Sequence, residues 1–139
     1  MFLGTSNHSV DSKGRIVLPA KFREELGDTF YIAQGFGSPC VQVMSAEQFE
    51  RITKNIMDLP ADKARALQYA FTATAAEVSP NASGRVMIPQ SLRRFADLKD
   101  EALVLGMDTR IEIWDKSRYE AYTESNRDLL SEAVTMMKF

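Results

Sequence analysis

The sequence predicts a mainly β, α+β fold assembled from two copies of one small unit. Three observations point there. The stretch Asp11-Ser12-Lys13-Gly14-Arg15-Ile16-Val17-Leu18-Pro19 returns 70 residues later as Asn81-Ala82-Ser83-Gly84-Arg85-Val86-Met87-Ile88-Pro89. The spacing carries past the motif: Phe22-Arg23 answers to Leu92-Arg93, and Val41-Gln42-Val43-Met44 to Ile111-Glu112-Ile113-Trp114. Between the copies, apolar residues fall at helical rather than strand spacing. Self-similarity at a fixed offset marks a repeated supersecondary unit.

Each copy has a local physical reading. Asp11 and Asn81 open a four-residue turn that Gly14 and Gly84 close, the side-chain preference of a type I turn, often finished by a bulge where it joins two strands. Arg15 and Arg85 then begin a short apolar run. Alternation along a strand sends Ile16 and Leu18 to one face and Arg15 and Val17 to the other. Pro19 and Pro89 end the strand and suit the first turn of a helix, in which Phe22 with Leu26, and Leu92 with Phe95 and Ala96, share a face. The unit reads strand, turn, strand, short helix.

The remaining elements follow in order. Met1 to Val10 is a first strand, Phe30 to Ala33 another, and Cys40 to Met44 its return after a Gly-rich loop. Ser45 with Gln48 three residues on is a capping-box pattern, opening a helix with Phe49, Ile52 and Ile56 on one face. Pro60 ends it. Ala61 opens a second helix, with Ala64, Leu67 and Phe71 in its stripe. Thr72 to Val78 leads into the second turn as a strand, and Ala102–Leu105 with Ile111–Trp114 form a second hairpin. From Lys116 the chain reads as one C-terminal helix with a fraying end.

Composition bounds the function. The chain has 139 residues, 45% of them hydrophobic, enough for one globular core. No apolar run approaches the ~18 residues a bilayer crossing needs, and the N-terminus lacks the pattern of a secretory signal. A lone Cys40 allows no internal disulfide and fits a reducing compartment, so the cytoplasm is expected. His8 is the only histidine, and no nucleophile–base pair, metal-ligand cluster or phosphate loop appears. The expectation is therefore a non-enzyme without metal, cofactor, membrane or small-molecule substrate.

Net charge is −2, which taken alone counts against a nucleic-acid partner. The distribution differs. Residues 80–99 carry Arg85, Arg93, Arg94 and Lys99 against Asp97 alone, and residues 11–25 carry Lys13, Arg15, Lys21 and Arg23 against three acids. Basic excess collects on the repeats. Arginine's planar fork suits guanine O6 and N7, whereas Lys13, Lys21 and Arg23 suit phosphates that set register. The plainer account of Arg15 is a surface residue pairing with Asp11 in its own turn, although Arg85 recurs without an acid at residue 81.

With the two Gly-Arg turns, the opening Met1-Phe2-Leu3-Gly4 and the Ile111-Glu112-Ile113-Trp114-Asp115 strand in view, the chain resembles the MraZ family of AbrB-like, swapped-hairpin DNA-binding proteins, from residue 1 to about residue 125. The resemblance implies a pseudo-two-fold, double-split β-barrel with linker helices, and a ring-like homo-oligomer. It implies SpoVT-AbrB-like DNA-binding repeats over 5–47 and 76–119, linker helices over 48–71 and a C-terminal helix over 120–139. It also implies a nucleoid-associated transcriptional regulator of double-stranded promoter DNA, reading repeated boxes of the cell-division and cell-wall gene cluster. Carried over by position, the DNA-binding residues are Arg15, Lys13, Arg85, Lys21, Arg23 and Arg93, on turns formed by Asp11, Gly14, Asn81 and Gly84. Asn81 departs from the family's acid, and Ser83 stands where the first turn has Lys13. Two alternatives compete: an AbrB-type regulator or antitoxin acting at other promoters, and an oligomeric scaffold that binds no DNA specifically. An antitoxin would carry a disordered toxin-binding tail, which the apolar, helical residues 116–139 do not resemble.

Overall fold

A computed structural model describes residues 1–139. Eight strands and six helices follow one another as β1 (Phe2–Ser9), β2 (Arg15–Val17), α1 (Ala20–Leu26), β3 (Phe30–Gln34), β4 (Val41–Ser45), α2 (Ala46–Met57), α3 (Ala61–Leu67), β5 (Ala76–Val78), β6 (Arg85–Met87), α4 (Gln90–Ala96), β7 (Glu101–Asp108), β8 (Arg110–Asp115), α5 (Lys116–Ser125) and α6 (Arg127–Met136). A π-helical turn over Gln68–Thr72 extends α3. Ser45 caps α2 by accepting from the Gln48 N–H at 3.2 Å.

The strands form a six-stranded antiparallel sheet, ordered β1-β7-β8-β4-β3-β5, and a separate two-stranded ribbon of β2 and β6. The two halves are interleaved. The first strand of each repeat pairs with the third strand of the other, β1 with β7 and β5 with β3. Where the halves meet directly, equivalent residues face each other: Ile16 opposes Val86 at the centre of the ribbon, and Gln42 opposes Glu112 at the centre of the β4–β8 seam. These registers describe a local two-fold relation.

Five expectations are corrected. The fold is α+β without being mainly β, since helices hold more residues than strands. The hydrogen-bonded barrel does not close, because β1 and β5 are free edges and the ribbon forms its own sheet. The Asp11 and Asn81 turns do not join a ladder of neighbouring strands, since β1 and β2 go to different sheets and the turn is held by its own side chain. The C-terminal helix is two helices, broken where the Asn126 side-chain amide donates to the Tyr122 carbonyl at 2.7 Å. The strand expected over Thr72–Val78 is also shorter. Thr74 Oγ1 donates to the Ala70 and Phe71 carbonyls, keeping the chain turned until Ala76.

The main core lies between the ribbon and the sheet. Ile16, Leu18, Val86 and Ile88 point inward from the ribbon strands and the residues just after them, joined by Phe22, Leu26 and Leu92 from α1 and α4. They meet Phe30, Ile32, Val41, Val43, Val104, Ile111 and Ile113 of the sheet. Adjacent Ile32 and Ala33 are both fully buried, which requires cover on both sheet faces. On the far face, Ala33 and Met44 of the sheet pack against Ile56, Ala64 and Phe71 of the linker helices, and Cys40, Leu105 and Trp114 lie beneath α5. Burial, with Glu112 alongside, pushes the Cys40 thiol far up from its ordinary value, so it is an inert packing residue.

Candidate nucleic-acid interface

The first turn is built by one carboxylate. Asp11 Oδ1 accepts the backbone N–H groups of Lys13 at 2.9 Å and Arg15 at 2.8 Å. The Asp11 N–H donates to the Arg15 carbonyl, and Gly14 N–H returns to the Asp11 carbonyl, both at 3.0 Å. Gly14 has φ of +78°, a conformation that glycine adopts without steric cost. Asn81 repeats the pattern: its Oδ1 accepts from Ser83 N–H at 3.0 Å and Arg85 N–H at 2.9 Å. An amide oxygen thus performs the backbone role of the acid.

The two arginines share a face. Arg15 and Val17 project outward on β2, and Arg85 and Met87 outward on β6, with Ile16 and Val86 buried beneath. Arg15 stands opposite Met87, and Arg85 opposite Val17, so the guanidinium groups sit diagonally across the ribbon. Their side chains are 33% and 42% exposed. The anticipated ion pair forms, Arg15 Nε donating to Asp11 Oδ2 at 2.8 Å. Arg85 lacks a local acid, yet its Nε lies 4.0 Å from the same Asp11 Oδ2, and its Nη1 donates to Ser83 Oγ at 3.2 Å. One carboxylate thus faces both guanidinium groups. Hydrogen bonds, first from the Arg15 backbone N–H, hold the Asp11 carboxyl below the usual range against a smaller upward push from desolvation.

The other sequence-predicted residues divide. Lys13 at the tip of the first turn and Lys21 on α1 are exposed. Arg23 and Arg93 are half-buried and cross over. Arg23 Nε donates to the Leu18 carbonyl at 3.0 Å, and its guanidinium covers Gly84 of the second turn. Arg93 covers Gly14 of the first turn, with Nε buried and without a hydrogen-bond partner in the chain. Nothing in the local sequence signals this crossing, because it depends on which strands pair. No three His, Cys, Asp or Glu side chains converge as metal ligands, and no helix is long and apolar enough to cross a membrane.

Comparison with known proteins agrees with the duplication. The family model described as "MraZ protein, putative antitoxin-like" matches twice, over residues 1–69 and 71–138. A transcriptional regulator MraZ from Acetivibrio thermocellus is 42% identical over 125 residues, covering 88% of this chain and 87% of that one. One from Finegoldia magna is 40% identical over 128 residues, covering 91% and 89%, and one from Clostridium acetobutylicum 39% identical over 138 residues, covering 98% and 96%. Matched over nearly its whole length by that model and by these relatives, the chain belongs to the MraZ family.

Proposed function

We propose that this chain is a sequence-specific DNA-binding transcriptional regulator that lays the outward face of the β2–β6 ribbon along double-stranded promoter DNA. The observation that carries the reading is the pair Arg15 and Arg85, two partly exposed guanidinium groups on one face, each set immediately after a rigid turn. A two-stranded ribbon fits the major groove, where an arginine donating to guanine O6 and N7 contributes about 1–3 kcal/mol of discrimination. Lys13 and Lys21 contact phosphates, which fix register. The relatives named transcriptional regulator MraZ support the same reading. Its targets are repeated boxes in the promoter of the cell-division and cell-wall gene cluster, bound at the nucleoid by a ring of identical subunits. Such a ring repeats a small basic face at fixed spacing, so adjacent boxes are engaged through effective concentration. An overall charge of −2 is compatible with that arrangement.

The test is a binding titration of the promoter fragment upstream of the protein's own gene cluster, at two salt concentrations. Specific retention is expected, with a log–log salt slope of about −0.9 per phosphate neutralised. Arg15→Ala is expected to abolish specific retention in a folded oligomer, and Arg85→Ala to weaken it less. Normal binding by folded Arg15→Ala sinks the reading. A scaffold would retain no promoter fragment specifically.

A further inference from the structure

We infer that Arg23 and Arg93 are positioning residues, each supporting the arginine-bearing turn of the opposite repeat. The inference rests on reading Arg15 and Arg85 as the groups that touch bases. Gly14 and Gly84 are buried although they belong to outward turns, and what covers them is a guanidinium from the other half. A Cβ built on Gly84 would stand 2.8 Å from Arg23 Cζ and 3.1 Å from Nη1 and Nη2, and one built on Gly14 would collide with the Arg93 guanidinium. A flat cation can lie this close only over a residue without a side chain. The glycine therefore does two things: it permits the turn's positive φ, and it leaves the seat for the arginine.

Backbone contacts run the same way. Leu18 N–H donates to the Gly84 carbonyl at 3.3 Å, and Ile88 N–H to the Gly14 carbonyl at 3.0 Å. Each turn is thus bonded to the segment that leads into the other repeat's arginine-bearing helix. Arg23 is anchored in that segment through the Leu18 carbonyl, at the foot of its own helix α1. Arg93 makes no equivalent bond, and it is held by the close packing of its guanidinium over Gly14, with Nε buried. A guanidinium committed in this way is poorly placed to follow a phosphate, and well placed to fix the angle at which the next residue, Arg15 or Arg85, leaves the turn. The dependence is crossed: Arg93 supports Arg15, and Arg23 supports Arg85.

Two measurements on the full-length protein test this. In the free protein, Arg93→Ala is expected to move the Gly14 and Arg15 amide resonances more than those of Gly84 and Arg85, and Arg23→Ala to do the reverse. Shifts confined to the turn of the substituted residue's own repeat overturn the inference, whatever DNA does. Should Arg93→Ala lose spectral dispersion, Arg93→Met, which keeps the stem over α4, carries the same measurement. With the promoter fragment, Arg93→Ala is expected to lower specific affinity by about fivefold or more, the low end for one mispositioned guanine contact, with non-specific affinity and salt slope unchanged. That loss should persist beside Arg85→Ala, because the contact that Arg93 supports is the one made by Arg15. A salt slope reduced by about 0.9, with specific and non-specific binding weakened alike, identifies a direct phosphate contact and overturns the inference. So does full rescue by Arg93→Lys, which restores the charge without the plane. If Arg15→Ala binds normally, the DNA reading has failed, while the amide shifts still decide the crossed support.

Discussion

Asp11 accepts from two backbone N–H groups and the Arg15 guanidinium, and its second oxygen faces Arg85. All of these favour its charged form. Its folded pKa is therefore depressed, and the stability it contributes is present above the unfolded value, about 3.9, and lost as pH falls through the folded one. An NMR titration of Asp11 is expected to have its midpoint below about 3.9. Because the backbone N–H of Arg15 is the largest cause, Arg15→Ala should leave part of the depression in place. A full return to the ordinary value would show that the guanidinium dominates instead. Asn81 makes the equivalent backbone bonds without a charge, so the second turn has no such acid limit. This chemistry was legible in the sequence, since an Asx side chain accepting from N–H groups two and four residues on is a local arrangement. The approach of Arg85 to Asp11 was not, because it spans the two repeats.

At the scale of elements, α5 and α6 behave differently although the sequence joins them. Tyr119 and Tyr122 of α5 pack on Trp114, with ring centroids 5.5 and 4.9 Å away. α6 buries nothing, and Leu129 and Leu130 are 61% and 64% exposed. An apolar face left in water in this way is characteristic of an association surface. Removing residues 127–139 takes no residue from the core, so the remaining chain is expected to stay folded with a cooperative melt, its midpoint lowered only by the loss of association. The same truncation should lower the mass seen by light scattering. Unchanged mass would mean that α6 carries no self-association. Helices and strands were readable from apolar spacing because Phe22, Leu26, Ile52 and Ile56 obey it locally. The Asn126 break was missed because a single side-chain bond to the Tyr122 carbonyl competes with an otherwise continuous helical pattern.

For the molecule as a whole, the repeat itself was plain in the sequence, and so was the mixture of strands and helices, although helices rather than strands hold the larger share of residues. The partners of the strands were not. An Asp-x-x-Gly turn looks the same whether the strands it joins pair with each other or with strands from the other repeat, and only the long-range registers of β1 with β7 and β5 with β3 distinguish the two. That interleaving has a consequence for how the chain can be divided. A cut at Leu59–Pro60 gives one fragment holding β1 and β2 and another holding β7 and β6, so both sets of partners are separated at once. Ile56 also leaves Ala64 and Phe71 behind. Neither fragment should show native dispersion or cooperative melting alone, while an equimolar mixture should recover both. The halves resemble each other as copies do, yet they are expected to be viable only as complements.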